Sequence, residues 1–338
     1  LSRARRRAAC ALLALLTLGP AGAEPSETLV TSQPITRFRI GSDETRFGAL
    51  DYIGGFSYRS SDRRLEGVSS IRLREGGRRF LAVTDTGYWF RGAIRRDADG
   101  KPLGIDSAQI APILDRSGRP PARKGDADAE GLALDGSHAL VSFERDARIE
   151  RFDADAPGRG SPVAMPIPRR ELRSNGGLET IAVSQASSPL KGAAIIVAEN
   201  SIDAEGNLLA AILGLGAKGL FSVRHDKVWS ATDGAFLDNG DFLLLERRYE
   251  GFGRIGMRIR RIDANAIRPG ALVDGPVIME ADFGNEIDNM EGLDVWTNAR
   301  GETILAVVSD DNGSFFQRNL YLEFRLRDDT PTEASRTP

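Results

Sequence analysis

AEGLALDGSHALVSFER (residues 129–145) and TDGAFLDNGDFLLLERR (residues 232–248) are two versions of one pattern. Each opens on an acid and a glycine, Glu130-Gly131 in one and Asp233-Gly234 in the other. An apolar run follows, then a turn at Asp135-Gly136 or Asn239-Gly240, then a second apolar run that ends in Glu-Arg. Dipeptides of this kind supply the positive φ of a tight hairpin, so each stretch predicts two antiparallel strands.

Outward from this pair the unit returns. It appears as Leu65-Glu66-Gly67-Val68, as Met290-Glu291-Gly292-Leu293, and without the glycine as Leu178-Glu179-Thr180-Ile181. From Glu66 through Glu130, Glu179 and Asp233 to Glu291 the intervals are 64, 49, 54 and 58 residues. After each acid a second strand again ends in an acid: Asp85, Glu144, Glu199, Glu246 and Asp310. A repeat of this length with about four short strands is a propeller blade. Five units are visible. The seam from Glu291 round to Glu66 is about 90 residues and contains strand-like TRFRI, ALDYIGGFSYRS and NLYLEFRL. The expectation is therefore an all-β single propeller, with six blades preferred and five possible. Pairing of N- and C-terminal strands would close it and remove exposed edges. The 37 glycines among 338 residues suit such a turn-rich chain.

Residues 1–23 carry the three parts of an export signal. Arg3, Arg5, Arg6 and Arg7 precede an apolar run, Ala8 to Leu18, and Ala21-Gly22-Ala23 forms a cleavage motif. The predicted division is a signal peptide over 1–23 and one domain over 24–338. The expected location is a bacterial periplasm or the medium. No later stretch is apolar and long enough to span a bilayer.

The net charge is -3, from 45 basic and 48 acidic residues, which argues against a nucleic-acid-binding surface. The only cysteine, Cys10, falls in the leader, and there are only two histidines, His138 and His225. Disulfides, thiolate metal sites and multi-histidine zinc sites are thereby excluded or disfavoured.

The innermost strand of a propeller blade faces the central channel. Acids at a repeated place then form a ring, here Glu66, Glu130, Glu179, Asp233 and Glu291. So many carboxylates together must take up protons or be neutralised by cations. Asp126, Asp128, Asn175, Asp288 and Asn289 stand just before ring acids and add oxygen donors. An all-oxygen set points to a divalent cation, Ca²⁺ first. The alternative is architectural: the same acids cap turns and pair with arginines. That alternative weighs more for Asp85, Glu144, Glu199, Glu246 and Asp310.

The stretches LDYIGGF (50–56), FLAVTDTGYW (80–89), DADAEGLAL (126–134), LVSFERD (140–146), NGGLET (175–180), FLLLERR (242–248), DNMEGLDV (288–295) and SDDNGSFFQRNLYLEFRL (309–326) together resemble the phytase-like family known as "esterase-like activity of phytase". The resemblance implies an exported bacterial propeller that hydrolyses an ester or phosphoester, with channel acids binding Ca²⁺. It carries over Glu66, Glu130, Glu179, Asp233 and Glu291 as metal ligands, with Asp85 and Asp310 in support. Thr180 in place of glycine and Asp233 in place of glutamate depart from the pattern. Glu130 or Glu291 is expected to act as the catalytic carboxylate, on a small-molecule ester or phosphoester, in a monomer. Two other readings use the same fold. One is a lactonase-like Ca²⁺ propeller. The other is a non-catalytic binding propeller, with the apparent insert 91–125 as its contact surface.

Overall fold

The computed structural model describes residues 24–327 apart from 124, 125, 157 and 252. The leader expected over 1–23 lies outside the described residues. Five sheets form a five-blade propeller.

From the channel outward, blade one is Val68–Arg74, Arg79–Thr84, Tyr88–Arg96 and Pro102–Pro112, with Ser26–Glu27 added at its rim. Blade two is Ala129–Asp135, His138–Phe143, Arg148–Asp153 and Ser161–Val163. Blade three is Leu178–Val183, Ala194–Ile202, Leu208–Ile212 and Leu220–Val223, extended by Leu272–Val273 in parallel. Blade four is Ser230–Phe236, Phe242–Tyr249, Ile255–Ile262 and Val277–Asp282. Blade five is Asn289–Thr297, Thr303–Asp310, Asn319–Leu326, Leu50–Arg59 and Thr31–Ile35. Neighbouring innermost strands pack on one another all the way round, which closes the ring.

The blade count is five, not the preferred six. The seam residues do not make a blade of their own. Leu50–Arg59 pairs antiparallel with Asn319–Leu326, so the N-terminal strands become the outer half of the blade that the C-terminal strands begin. This is the expected closure of the ring by its two termini. The apparent insert 91–125 is likewise reassigned. Most of it is the outer hairpin of blade one, and residues 113–123 follow that hairpin with one isolated bridge, Leu114 to Arg159.

Every blade is covered on both faces, which is why its second strand reads as a continuous apolar run rather than an alternation. One buried cluster fills each junction. Leu81, Trp89 and Val141 join blades one and two, while Leu140, Ile181 and Ile196 join two and three. Val197 and Leu244 join three and four, Leu245 and Leu305 join four and five, and Phe56, Tyr321 and Ile71 join five and one. The hairpin glycines Gly136 and Gly240 have φ of 59° and 93°, the conformation their turns require.

Candidate functional site

Each innermost strand carries a β-bulge near its start, where one residue goes unpaired and is turned out of the ladder. The skipped residues are Ser69, Glu130, Glu179, Thr232 and Glu291 in blades one to five. The paired residue before each bulge faces the end of the second strand. The residue after that partner is Asp85, Glu144, Glu199, Arg247 or Asp310. Two five-membered layers therefore line one mouth of the channel. Glycine follows Glu130 because the inner strands touch there: a Cβ on Gly131 would run into the Glu179 carbonyl.

The acids concentrate on blades two and three. Asp128, Glu130 and Glu144 each place an oxygen within 4.8 Å of the other two, and Glu144, Glu179 and Glu199 do the same. Glu144 belongs to both groups. Its Oε1 accepts the N–H groups of Gly176 and Gly177, the latter at 2.9 Å, which fixes the carboxylate between the blades. Arg145 Nε donates to Asp128 Oδ2 at 2.8 Å from the rim. On the far side Arg247 bridges Glu199 and Glu291, with N···O distances of 3.0 Å to each. Arg247 also donates to Asn289 Oδ1, and Asn289 Nδ2 donates to Glu291 Oε1 at 2.6 Å.

Burial first, and then the charges of Asp85, Asp128, Glu291 and Glu144, push the Glu130 carboxyl well above the ordinary range. Glu179 is raised for the same reason, by burial and then by Glu130, Glu199, Glu291 and Glu144. Glu144 is raised by burial, with the two glycine N–H groups opposing. Burial lifts Glu291 to about 8, against the pull of Arg247 and with the push of Asp310 and Glu199.

These shifts give a pH dependence with a definite sign. A carboxyl raised above its unfolded value of about 4.3 binds more protons in the folded state, so its contribution is lost as pH rises. Without cations, these four carboxyls are expected to take stability away as pH climbs from about 4.3 towards the Glu291 value of about 8. Saturating Ca²⁺ is expected to flatten that decline. Melting temperature against pH in EDTA and in Ca²⁺ measures both slopes.

The other sequence-derived residues are placed differently. Asp233 sits one step deeper than the ring because Thr232, not Asp233, occupies the blade-four bulge. It is fully buried and bound by Arg72, whose Nη1 and Nη2 each lie 2.9 Å from a carboxylate oxygen. Ser70 Oγ and the N–H groups of Gly234 and Leu293 complete its shell. Arg72 also donates to the carbonyls of Ile181 and Leu293, so one side chain ties blades one, three, four and five across the channel. The ligand role expected for Asp233 gives way to this architectural one.

Glu246 is also displaced. It pairs outward with Arg258 and Arg260 at 2.7 Å each, away from the mouth. Glu66 lies at the rim beside Arg63 at 3.2 Å and belongs to neither three-carboxylate group. Asp85 and Asp310 are buried in the second layer, where they act on Glu130 and Glu291 respectively. Arg247 is the residue that sequence reading passes over. Its signal is there: set against residues 129–145 without a gap, 232–248 puts Arg247 under Glu144.

A cleft of ≈ 680 Å³ opens beside the acids, lined by Asn200, Lys227, Ser230, Arg247, Tyr249 and Asn289 among others. Its amides and cations give a donor-rich wall next to the carboxylates.

Among the described residues no helix is long and apolar enough to cross a membrane. No curated protein matches the sequence. Among solved structures, a luciferin-regenerating enzyme is similar at 11% identity and a TM-score of 0.40, covering 86% of this chain and 95% of its own. An endo-1,4-beta-xylanase from Bacteroides thetaiotaomicron is similar at 11% identity and a TM-score of 0.44, covering 77% of this chain and 90% of its own. Likenesses this distant carry no argument about activity. The phytase-like family model, described as esterase-like activity of phytase, matches residues 63–313, and the chain belongs to that family.

Proposed function

We propose that this chain is an exported hydrolase of small phosphoesters or carboxylic esters, working with a divalent cation, Ca²⁺ first, held at the channel mouth. The observation that carries the reading is the pair of three-carboxylate groups sharing Glu144. Their donors are all carboxylate oxygens, the hard ligands that suit Ca²⁺ or Mg²⁺. Burial first, and then neighbouring carboxylates, raise Glu130, Glu144 and Glu179, and a cation there would favour their ionised forms. Glu130, Glu144 and Glu179 would hold the ion, with Asp128 and Glu199 flanking them, each already paired with an arginine. Export rests on the pattern in residues 1–23.

A cation bound there supplies Lewis-acid polarisation of a substrate oxygen and a water of lowered pKa. The chain does the rest. Glu291 stands outside both three-carboxylate groups. Arg247 and Asn289 both address its Oε1, leaving Oε2 to take a proton from the attacking water. Glu130, the other catalytic candidate, belongs to a cation-binding group instead. In the adjoining cleft Lys227, Arg247 and Asn200 offer donors to the substrate's oxygens. The fixed Gly176 and Gly177 N–H groups keep Glu144 in place through turnover.

The test is turnover of 4-nitrophenyl phosphate, 4-nitrophenyl acetate and a γ-lactone by residues 24–338. Hydrolysis of one ester class, lost in EDTA and restored by Ca²⁺, is the expected result. Preference for the lactone would favour the lactonase-like reading. No turnover of any substrate in any metal would favour a binding propeller.

A further inference from the structure

The five blades do not contribute equally to the mouth, and the exception is blade four. At the place where blades one, two, three and five put Asp85, Glu144, Glu199 and Asp310, blade four puts Arg247. Its bulge residue is Thr232, where blades two, three and five have Glu130, Glu179 and Glu291. Blade four therefore gives the mouth no acid in either layer. It gives a guanidinium instead.

That guanidinium is held inside the acid cluster. It spans from Glu199 on blade three to Glu291 on blade five, at 3.0 Å from an oxygen of each. Its side chain is 27% exposed, and its carboxylate partners only 7% and 12%. This is the position from which a second divalent ion would have to coordinate Glu199 and Glu291. A cation there would meet a fixed positive charge with both carboxylates already engaged.

We propose that Arg247 is a built-in cation that takes the place of a second metal ion, so that the mouth binds one divalent ion per chain. This rests on the metal reading of the site given above. One ion remains on the side of blades two and three, centred on Glu144, where Glu130 and Glu179 have no arginine partner among the ion pairs of the described residues. The charge pattern supports that count. Asp128 is paired with Arg145, and Glu199 and Glu291 share Arg247, so Glu130, Glu144 and Glu179 are the carboxylates of the two groups with no partner among the ion pairs of the described residues. Arg247 thus also separates a cation-holding half of the mouth from a half that moves protons.

The experiment is Ca²⁺ titration by calorimetry on residues 24–338, with bound calcium counted after desalting. The wild type is expected to bind one ion. Arg247→Gln removes the charge and frees Glu199 and Glu291, and is expected to bind two. Arg247→Lys keeps a cation and is expected to stay at one. Two or more ions on the wild type would overturn the inference while leaving the metal reading intact. So would a folded Arg247→Gln, checked by circular dichroism, that still binds one. If that variant does not fold, the wild-type and Arg247→Lys counts decide alone. No ion on the wild type would overturn the metal reading and the inference together.

Discussion

Arg72→Met is expected to destabilise the propeller by about 3–5 kcal/mol, the usual loss when one partner of a buried ion pair is removed. Asp233 is wholly enclosed, and the bidentate Arg72 is its only ion-pair partner among the described residues. Without the guanidinium, a carboxylate stays buried against only Ser70 and two backbone N–H groups. The loss also releases the carbonyls of Ile181 and Leu293, so blades one, three and five lose a common fastening. Chemical denaturation of Arg72→Met, Asp233→Asn and the double variant measures it. The double variant is expected to recover part of the loss, because the uncompensated charge is what costs most. Additive single losses would mean that the two residues are not coupled.

Glu291→Gln is expected to lower kcat by about 10²–10⁴, the range for a positioned general base, with little change in folding. Gln keeps the shape and can still accept from Asn289 and Arg247, but it cannot take a proton. The Glu291 carboxyl stands at about 8 in the acid cluster alone. A cation at Glu144 would bring it down, since an opposite charge nearby favours the ionised form. The wild-type rate is therefore expected to rise with pH along a limb set by Glu291, and that limb is expected to vanish in Glu291→Gln. A variant with wild-type kcat and an unchanged limb would remove Glu291 from the chemistry.

Much of this arrangement is legible in the chain. The acid–glycine–strand–turn–strand unit predicts blades because each element follows from local chemistry: turn dipeptides, apolar runs and an acid at a strand end. The closing of the ring by Leu50–Arg59 against Asn319–Leu326 also follows, since free edges are costly. The blade count misleads because nothing local distinguishes outer strands of an existing blade from inner strands of another. Register is the other limit. The blade-four hairpin is one residue longer between its paired positions than that of blade two. A slip of one residue moves a side chain to the opposite face of a strand. That slip takes Asp233 down to Arg72 and Glu246 out to Arg258 and Arg260, and it brings Arg247 into the mouth. Glu130, Glu179 and Glu291 share a place in the sequence unit and share a bulge in the structure, so they stay together.

Whether the acids around Glu144 hold a divalent cation is decided by thermal unfolding of residues 24–338 in EDTA and in excess Ca²⁺, for the wild type and Glu144→Gln. An ion present at 100 times its Kd and bound only by the folded state adds about 2.7 kcal/mol. The wild-type melting temperature is expected to rise clearly in Ca²⁺, and that rise to be lost in Glu144→Gln. No shift in the wild type with Ca²⁺, Mg²⁺ or Mn²⁺, or an undiminished shift in Glu144→Gln, would contradict a cation held there.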